Sequence, residues 1–242
     1  MKETTSKFRG RVLSATISRE ADRWYVSLAV QRERTDPTPV HGEPVGVDLG
    51  FRCFAVLSDG TRLVAPKPLR RQMRKLRRLS RAVSRKQKGS RNRQKAVLKL
   101  TRLHRKIANV RRDFLHKAST ELARTKPVIV VEAMRARDLL LPGRGPGYTR
   151  DINRAMIDAG IGEFLRMLAY KTTWHGSVLL AAPKGYKATR TCSECGWEGP
   201  DLPLSRRVFR CGACDLELDR DLNAARNLEK LAEEFLWNAA VA

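Results

Sequence analysis

Val45-Gly46-Val47-Asp48-Leu49-Gly50 reads as a β-strand built for a protein interior except at one position, the carboxylate of Asp48. β-Branched residues suit a pleated, half-buried surface, whereas a charge placed there needs a partner. Phe54-Ala55-Val56-Leu57, the turn Ser58-Asp59-Gly60 and Leu63-Val64-Ala65 follow at hairpin spacing, which predicts a three-strand meander. Farther on, Val128-Ile129-Val130-Val131 is a continuous β-branched run, as in a strand covered on both faces, and it ends on Glu132. Over residues 153–173, Met156, Ile157, Ile161, Phe164, Leu165, Leu168 and Ala169 share one helical face, with Gly160 and Gly162 weakening its start. A strand at 177–181 and a last helix at 221–237, carrying Leu222, Ala225, Leu228, Leu231 and Leu236, complete an alternation of strands and helices. Such an alternation predicts an α/β fold.

Upstream, Val12-Leu13-Ser14-Ala15-Thr16-Ile17 and Trp24-Tyr25-Val26-Ser27-Leu28-Ala29-Val30 alternate apolar and polar residues on either side of the polar stretch 18–23, predicting an antiparallel hairpin. Two strands alone are marginal in water, so this hairpin has to lean on other sequence. Residues 34–44, with Pro37, Pro39 and Pro44, read as a linker.

The 242 residues include 49 Lys and Arg against 25 Asp and Glu, a formal charge of +24 that calls for a polyanionic partner. A hydrophobic content of 42% supports a packed core, which excludes a disordered basic tail and fibrous classes. The start, Met1-Lys2-Glu3-Thr4-Thr5-Ser6, lacks the apolar region of a secretory signal, and the longest apolar runs are too short to span a bilayer. The expectation is a cytoplasmic protein acting beside DNA, with no membrane partner.

Between Arg70 and Arg112 stand 19 Lys and Arg and no Asp or Glu. Like charges at that density oppose an isolated helix, yet Leu69, Met73, Leu76 and Val83, then Leu100, Leu103, Ile107, Val110 and Phe114, keep helical spacing on either side of Gly89-Ser90. An α-hairpin with a basic exterior is predicted. A charged helix face is most often a solvated one, but a long face of one sign points to nucleic-acid phosphates, with Arg74, Arg78, Arg81, Arg85, Lys86, Lys88, Arg91, Lys95, Arg102 and Arg105 as the candidate contacts.

Cys192 and Cys195, then Cys211 and Cys214, form two C-x-x-C pairs separated by fifteen residues. That is zinc-ribbon spacing, in which two knuckles close a tetrahedron of thiolates with no position left open for water, so the zinc is structural. The alternative of four free core cysteines fails on composition, because Glu194, Gly196, Glu198, Gly199, Pro200, Asp201 and Pro203 cannot build a core. Cys53 reads as a small core residue in the strand that follows Asp48.

Three carboxylates form the second constellation. Asp48 lies in an apolar strand, Glu132 ends a buried one, and Asp221 opens the last helix in Asp219-Arg220-Asp221-Leu222-Asn223-Ala224-Ala225-Arg226-Asn227. Each has a plain alternative: a turn former, an exposed strand end and a helix N-cap respectively. Taken together in a cationic chain they suggest an acidic cluster whose mutual repulsion divalent cations would relieve. Two magnesium ions held in this way activate water and stabilise the leaving oxygen of a phosphodiester, which is nuclease chemistry.

The Asp48 strand, the basic helices ending Arg112-Asp113-Phe114-Leu115-His116-Lys117, Val130-Val131-Glu132, Ala169-Tyr170-Lys171, Ala188-Thr189-Arg190-Thr191-Cys192-Ser193-x-Cys195-Gly196 and the Asp219 to Asn227 segment together resemble the TnpB family. These proteins are encoded by bacterial and archaeal insertion sequences, are often labelled OrfB-type transposases, and are relatives of type V CRISPR effector nucleases. The resemblance covers residues 8–236. It implies a RuvC-like domain of RNase H fold, built on a mixed sheet, with a zinc ribbon inserted before its last helix, and a magnesium-dependent DNA endonuclease directed by a guide RNA. By position it assigns catalysis and magnesium to Asp48, Glu132 and Asp221, with Asp219 ranked below Asp221, and zinc to Cys192, Cys195, Cys211 and Cys214. Ala133 stands where the family usually has a further aspartate.

The implied organisation is a remnant of a wedge β-domain and linker at 1–44 and a nuclease domain at 45–188 carrying the basic helical hairpin at 69–124. A zinc ribbon at 189–218 and a last nuclease segment with C-terminal helix at 219–242 follow. Only residues 7–33 resemble the wedge, so the family's guide-binding part is expected to be largely missing. The Gly/Pro loop at 142–147 and the helix that follows it are expected to act as a lid over the acidic site. The alternative to a nuclease is a nucleic-acid-binding remnant or regulator that does not cut; no tyrosine or His-hydrophobic-His recombination site is visible in the sequence.

Overall fold

The computed structural model describes residues 10–33, 35–50, 52–133, 148–203 and 205–241, with backbone alone at 148–150 and 238–241. The loop at 142–147 expected as a lid lies outside the described residues. The chain divides into two compact units, Met1–Asp36 with Pro68–Val110, and Pro37–Lys67 with Arg111–Ala242.

In the first unit, β1 (Arg11–Glu20) and β2 (Arg23–Gln31) pair antiparallel. The polar stretch 18–23, expected as a connection, is mostly strand, because its cross-strand partners match. Arg19 faces Trp24 and lies 5.4 Å above its ring, and Glu20 faces Arg23. Only Ala21-Asp22 is left to turn the chain. The helical hairpin forms as expected, with α1 (Pro68–Ser84) and α2 (Arg91–Thr125), of which residues 91–110 belong here. Ser90 caps α2 by accepting the Arg93 N–H at 3.2 Å. Ala96, Leu103 and Ile107 are the buried apolar residues of this stretch of α2, one face at helical spacing, while α1 buries only Pro68.

In the second unit, β3 (Val45–Leu49), β4 (Ala55–Leu57), β5 (Arg62–Leu63), β6 (Val128–Val131) and β7 (Val178–Ala181) form one sheet in the order β5-β4-β3-β6-β7. The meander β3-β4-β5 is antiparallel, and β6 and β7 add to β3 in parallel, which makes the sheet mixed as expected. Alternate residues face opposite sides. Val45, Val47, Leu49, Ile129 and Val131 pack with Leu115, Ala118 and Leu122 of α2 and with Phe164 and Leu168 of α4 (Ile161–His175). Val128 and Val130 pack on the other side with Ala224, Leu228 and Ala232 of α5 (Arg220–Val241). The sheet is thus the middle of three layers.

The single helix expected over 153–173 is two, α3 (Tyr148–Ala159) and α4, broken at Gly160, which adopts a left-handed φ of 71°. A Cβ there would lie 3.0 Å from Arg111 Cδ and 3.1 Å from Leu115 Cδ1, so glycine serves both the turn and the packing. Arg111 holds the end of α3 by donating to the Asp158 carbonyl at 3.1 Å. Lys171 is buried, and its ammonium donates at 2.7 Å to the His116 carbonyl and to the hydroxyls of Ser119 and Thr120, which ties α4 to α2. Cys53 lies in the bend before β4 and is only half-buried, not within a strand as expected.

Candidate active site and metal centre

Gly46 sets the depth of the site. A Cβ at that position would lie 1.9 Å from the Ala225 carbonyl oxygen and 2.5 Å from the Glu229 nitrogen, so only glycine lets the backbone of α5 close onto β3. Two residues along the same face of the strand stands Asp48, and one turn nearer the start of the helix stands Asp221. The parallel register pairs Gly46 with Val130 and Val47 with Val131, so its next step sets Asp48 beside Glu132 at the ends of the two strands. Asp48 and Glu132 are both half-buried.

The electrostatics follow from this crowding. Burial, then the charges of Asp221 and Glu132, raise the Asp48 carboxyl to about 8, with Arg220 opposing them. Burial raises Glu132 as well. Asp221 has two guanidinium neighbours, Arg207 and Arg220, each at 3.6 Å. The helix-capping role that Asp221 could have filled belongs to Asp219, whose Oδ1 accepts the N–H groups of Asp221 at 3.0 Å and Leu222 at 3.1 Å. Asp219 Oδ2 pairs with Arg62 at 3.0 Å, and its pKa is lowered: burial raises it, but Arg62 and these N–H donors outweigh burial.

The four cysteines converge. Cys192 Sγ lies 3.7 Å from Cys214 Sγ, Cys195 Sγ lies 3.5 Å from Cys211 Sγ, and all four sulfurs lie within 4.8 Å of one another. A tetrahedron with Zn–S bonds of about 2.3 Å has edges of about 3.8 Å, so the cluster has the size that zinc requires. The thiols are in electrostatic conflict: burial opposes ionisation of Cys211, but the N–H groups of Ala213 and Cys214 and the adjacent thiols bring it to about 7. The Leu216 N–H lowers Cys214, yet burial and the other three sulfurs push it up to about 12. A dication resolves such a conflict by stabilising all four thiolates together. Around the cluster, β8 (Val208–Arg210) and β9 (Glu217–Asp219) form a small antiparallel ribbon, and β9 runs directly into α5. The cysteine cluster is the one group of three or more Cys, His, Asp or Glu among the described residues whose ligand atoms lie within 4.8 Å. The three carboxylates do not converge within that distance. As hard oxygen donors they fit magnesium in ligand type.

Of the expected nucleic-acid contacts, Arg74, Arg78, Arg81, Arg85, Lys86, Lys88, Arg91 and Lys95 are exposed. Arg91 and Lys95 line a cavity of about 840 Å³ together with Arg19 and Arg93. Arg102 and Arg105 are engaged otherwise: they pair with Asp22 at 2.8 and 3.1 Å, and Arg105 also donates to the Glu20 carbonyl at 2.7 Å. Hydrogen bonding from Arg102 is the main reason that the Asp22 carboxyl falls to about 2.

Two residues to which the sequence reading gave no role, Asn223 and Asn227, are fully buried at one-turn spacing on α5. Their available signal was two amides in the interior of a helix, where Asn is disfavoured unless its side chain has fixed partners.

A mixed α/β fold with carboxylates at the ends of two strands and the start of a helix, and a four-cysteine cluster of the size that a metal requires, is the class of protein that this structure defines. Residues 27–141 match a family model described as Probable transposase (OrfB_IS605), and residues 162–228 match one described as Cas12f1-like, TNB domain. The chain is 37% identical over 227 residues to InsQ of Escherichia coli K12, provisionally named an RNA-guided DNA endonuclease, covering 90% of this chain and 56% of that protein. It is 39% identical over 216 residues to a protein of Streptomyces pristinaespiralis given the same provisional function, covering 89% of this chain and 52% of the other. The chain therefore spans about half the length of the curated relatives it matches. Among solved structures, a Cas12f1–sgRNA–target DNA complex matches 85% of this chain and 42% of its own with a TM-score of 0.55 at 19% identity, a likeness of fold. Over most of its length the chain is thus similar to OrfB-type transposases and to proteins provisionally named RNA-guided DNA endonucleases.

Proposed function

We propose that this chain carries a magnesium-dependent RuvC-type endonuclease site for DNA, with Asp48, Glu132 and Asp221 as its catalytic, metal-holding carboxylates. The observation that carries this reading is the electrostatic conflict at Asp48, which lies among two other carboxylates with its pKa raised to about 8. A protein gains nothing in stability from that arrangement, and strongly perturbed carboxylates gathered at strand ends mark functional sites. Magnesium, when bound, would supply Lewis acidity for phosphodiester hydrolysis. Arg207 and Arg220 balance the charge of Asp221 while no cation is present, and Asp219 fixes the start of α5 so that Asp221 stays beside Asp48. Zinc at Cys192, Cys195, Cys211 and Cys214 is structural in this reading.

The exposed cations of α1 and of the start of α2 hold nucleic-acid phosphates. Direction by a guide RNA follows from the relatives' names and is proposed on that basis. No helix among the described residues is long and apolar enough to cross a membrane. A second reading, a protein that binds nucleic acid without cutting, is favoured by the basic segment, whose charge is independent of the carboxylates.

The test is cleavage of a labelled single-stranded DNA by the purified chain with magnesium, against EDTA and Asp48→Ala, with co-purified RNA sequenced in parallel. Magnesium-dependent cutting that Asp48→Ala abolishes while binding persists is the expected result, and a discrete bound RNA supports guiding. Equal cutting by Asp48→Ala sinks the site assignment, and binding without cutting by the parent chain moves the function to the second reading.

A further inference from the structure

Asn223 and Asn227 join the cysteine cluster to the carboxylate helix. Asn223 Oδ1 accepts the Ser193 N–H at 2.9 Å, and its Nδ2 donates to the Thr191 carbonyl at 2.7 Å. These two bonds grip the backbone on both sides of Cys192, a fully buried member of the cluster. Asn227 Nδ2 donates to the same Thr191 carbonyl at 2.6 Å and to the Ala188 carbonyl at 2.9 Å, and the Tyr186 hydroxyl donates to the Asn227 carbonyl at 2.8 Å. The ribbon holds the helix at a second point as well, because the Arg220 N–H donates to the Arg207 carbonyl at 2.7 Å. Asp221 lies between these two attachments.

The coupling has a direction. The ribbon has only a small apolar core, Cys192, Phe209 and Cys211 backed by Trp197, Leu202 and Leu216, so its shape depends on the metal that the thiolates hold. The helix, in contrast, is fixed to the sheet along Ala224, Leu228 and Ala232, and its first turn lies before Ala224, the first of these packing residues. Loss of the knuckle would leave two buried amides without partners and release that first turn alone.

We propose that Asn223 and Asn227 are positioning residues through which occupancy of the four-cysteine site sets the affinity of the Asp48–Asp221 pair for a divalent cation. This rests on the carboxylate reading given above. Outer-shell groups that orient metal ligands change metal affinity by roughly 10–100-fold, and the amides act one step farther out, so the low end of that range is expected.

The probe is manganese, titrated into the full chain and followed by the electron paramagnetic resonance signal of free Mn²⁺, counting only the binding that Asp48→Ala removes. Four samples are compared: the zinc-loaded parent, the parent stripped of zinc, zinc-loaded Asn223→Ala/Asn227→Ala with its zinc content and helix content measured, and that double variant stripped of zinc. Stripping zinc and removing the amides should each weaken Mn²⁺ binding about tenfold, and stripping zinc from the double variant should add little further. Asp48-dependent binding of equal strength in all four samples overturns the coupling and leaves the carboxylate site standing. Mn²⁺ binding that Asp48→Ala does not change overturns the carboxylate reading and this inference with it. Should the double variant lose helix content, the stripped and loaded parent decide the matter without any substitution.

Discussion

At Asp48, burial and the charges of Glu132 and Asp221 act in one direction, so the metal-free protein keeps a proton there up to about pH 8 while the unfolded chain loses it near the ordinary value of 3.8. The sign follows by linkage. Between about pH 4 and pH 8 the unfolded state binds fewer protons than the native one, so stability falls as pH rises and the loss is complete above about 8. We expect metal-free Asp48→Asn to lack this decline and to melt higher than the parent at pH 8.5, by at least about 3 °C, the shift that about 1 kcal/mol gives in a chain of this size. Magnesium should reverse the order, because it stabilises only the protein that binds it. Thermal melts at pH 6 and 8.5 with and without magnesium check this, and an Asn variant no more stable than the parent at pH 8.5 would rule out the conflict. The three carboxylates were visible in the sequence as candidates, and Asp221 was ranked above Asp219 there, but the capping role of Asp219 was not legible. Only the fold shows which of two aspartates two residues apart spends its oxygens on the helix start.

At the scale of elements, the contact of α5 with β3 depends on one missing side chain. Backbone meets backbone at Gly46, with the Ala225 carbonyl and the Glu229 nitrogen where a methyl would go, so neither side can yield by changing rotamer. Gly46→Ala should therefore fall at the upper end of overpacking costs, about 3 kcal/mol, and lower the melting temperature by roughly 6–12 °C. It should also weaken divalent-cation binding at Asp48, since the helix that brings Asp221 is pushed outward. Calorimetry of the variant checks the first effect, and a melting temperature within about 2 °C of the parent would contradict the close approach. Elements with strong periodicity, β3, β6, α1 and α2, were legible from sequence. The break at Gly160 was not, because packing against Arg111 lies outside any local pattern, and the extension of β1 to Glu20 was not, because the paired residues there are polar and show no apolar alternation.

For the whole molecule, a charge of +24 makes polyanion affinity an ion-exchange property. Each phosphate neutralised releases condensed counterions, so log affinity should fall with log salt at about −0.7 per contact for single strands and −0.9 for duplex. We expect a slope steeper than about −4 for a single-stranded oligonucleotide. Replacing exposed Arg74, Arg78, Arg81 and Arg85 by Gln should make it shallower by about 2 to 3, while the pair Arg102 and Arg105, tied to Asp22, contributes less per residue. Fluorescence anisotropy over a salt series measures both, and a flat dependence would remove the basic helices from the interface.

Composition, spacing and periodicity by themselves determined the large positive charge of the basic helices, the four-cysteine cluster, the α/β alternation and the three candidate carboxylates, because each is a property of residues near one another in the chain. Which aspartate caps α5, why position 46 must be glycine, and that two asparagines bind the ribbon to the carboxylate helix were decided only by tertiary structure. Those facts are contacts between segments up to about 180 residues apart, such as Gly46 with Ala225, and the pattern around either residue alone carries no information about the other.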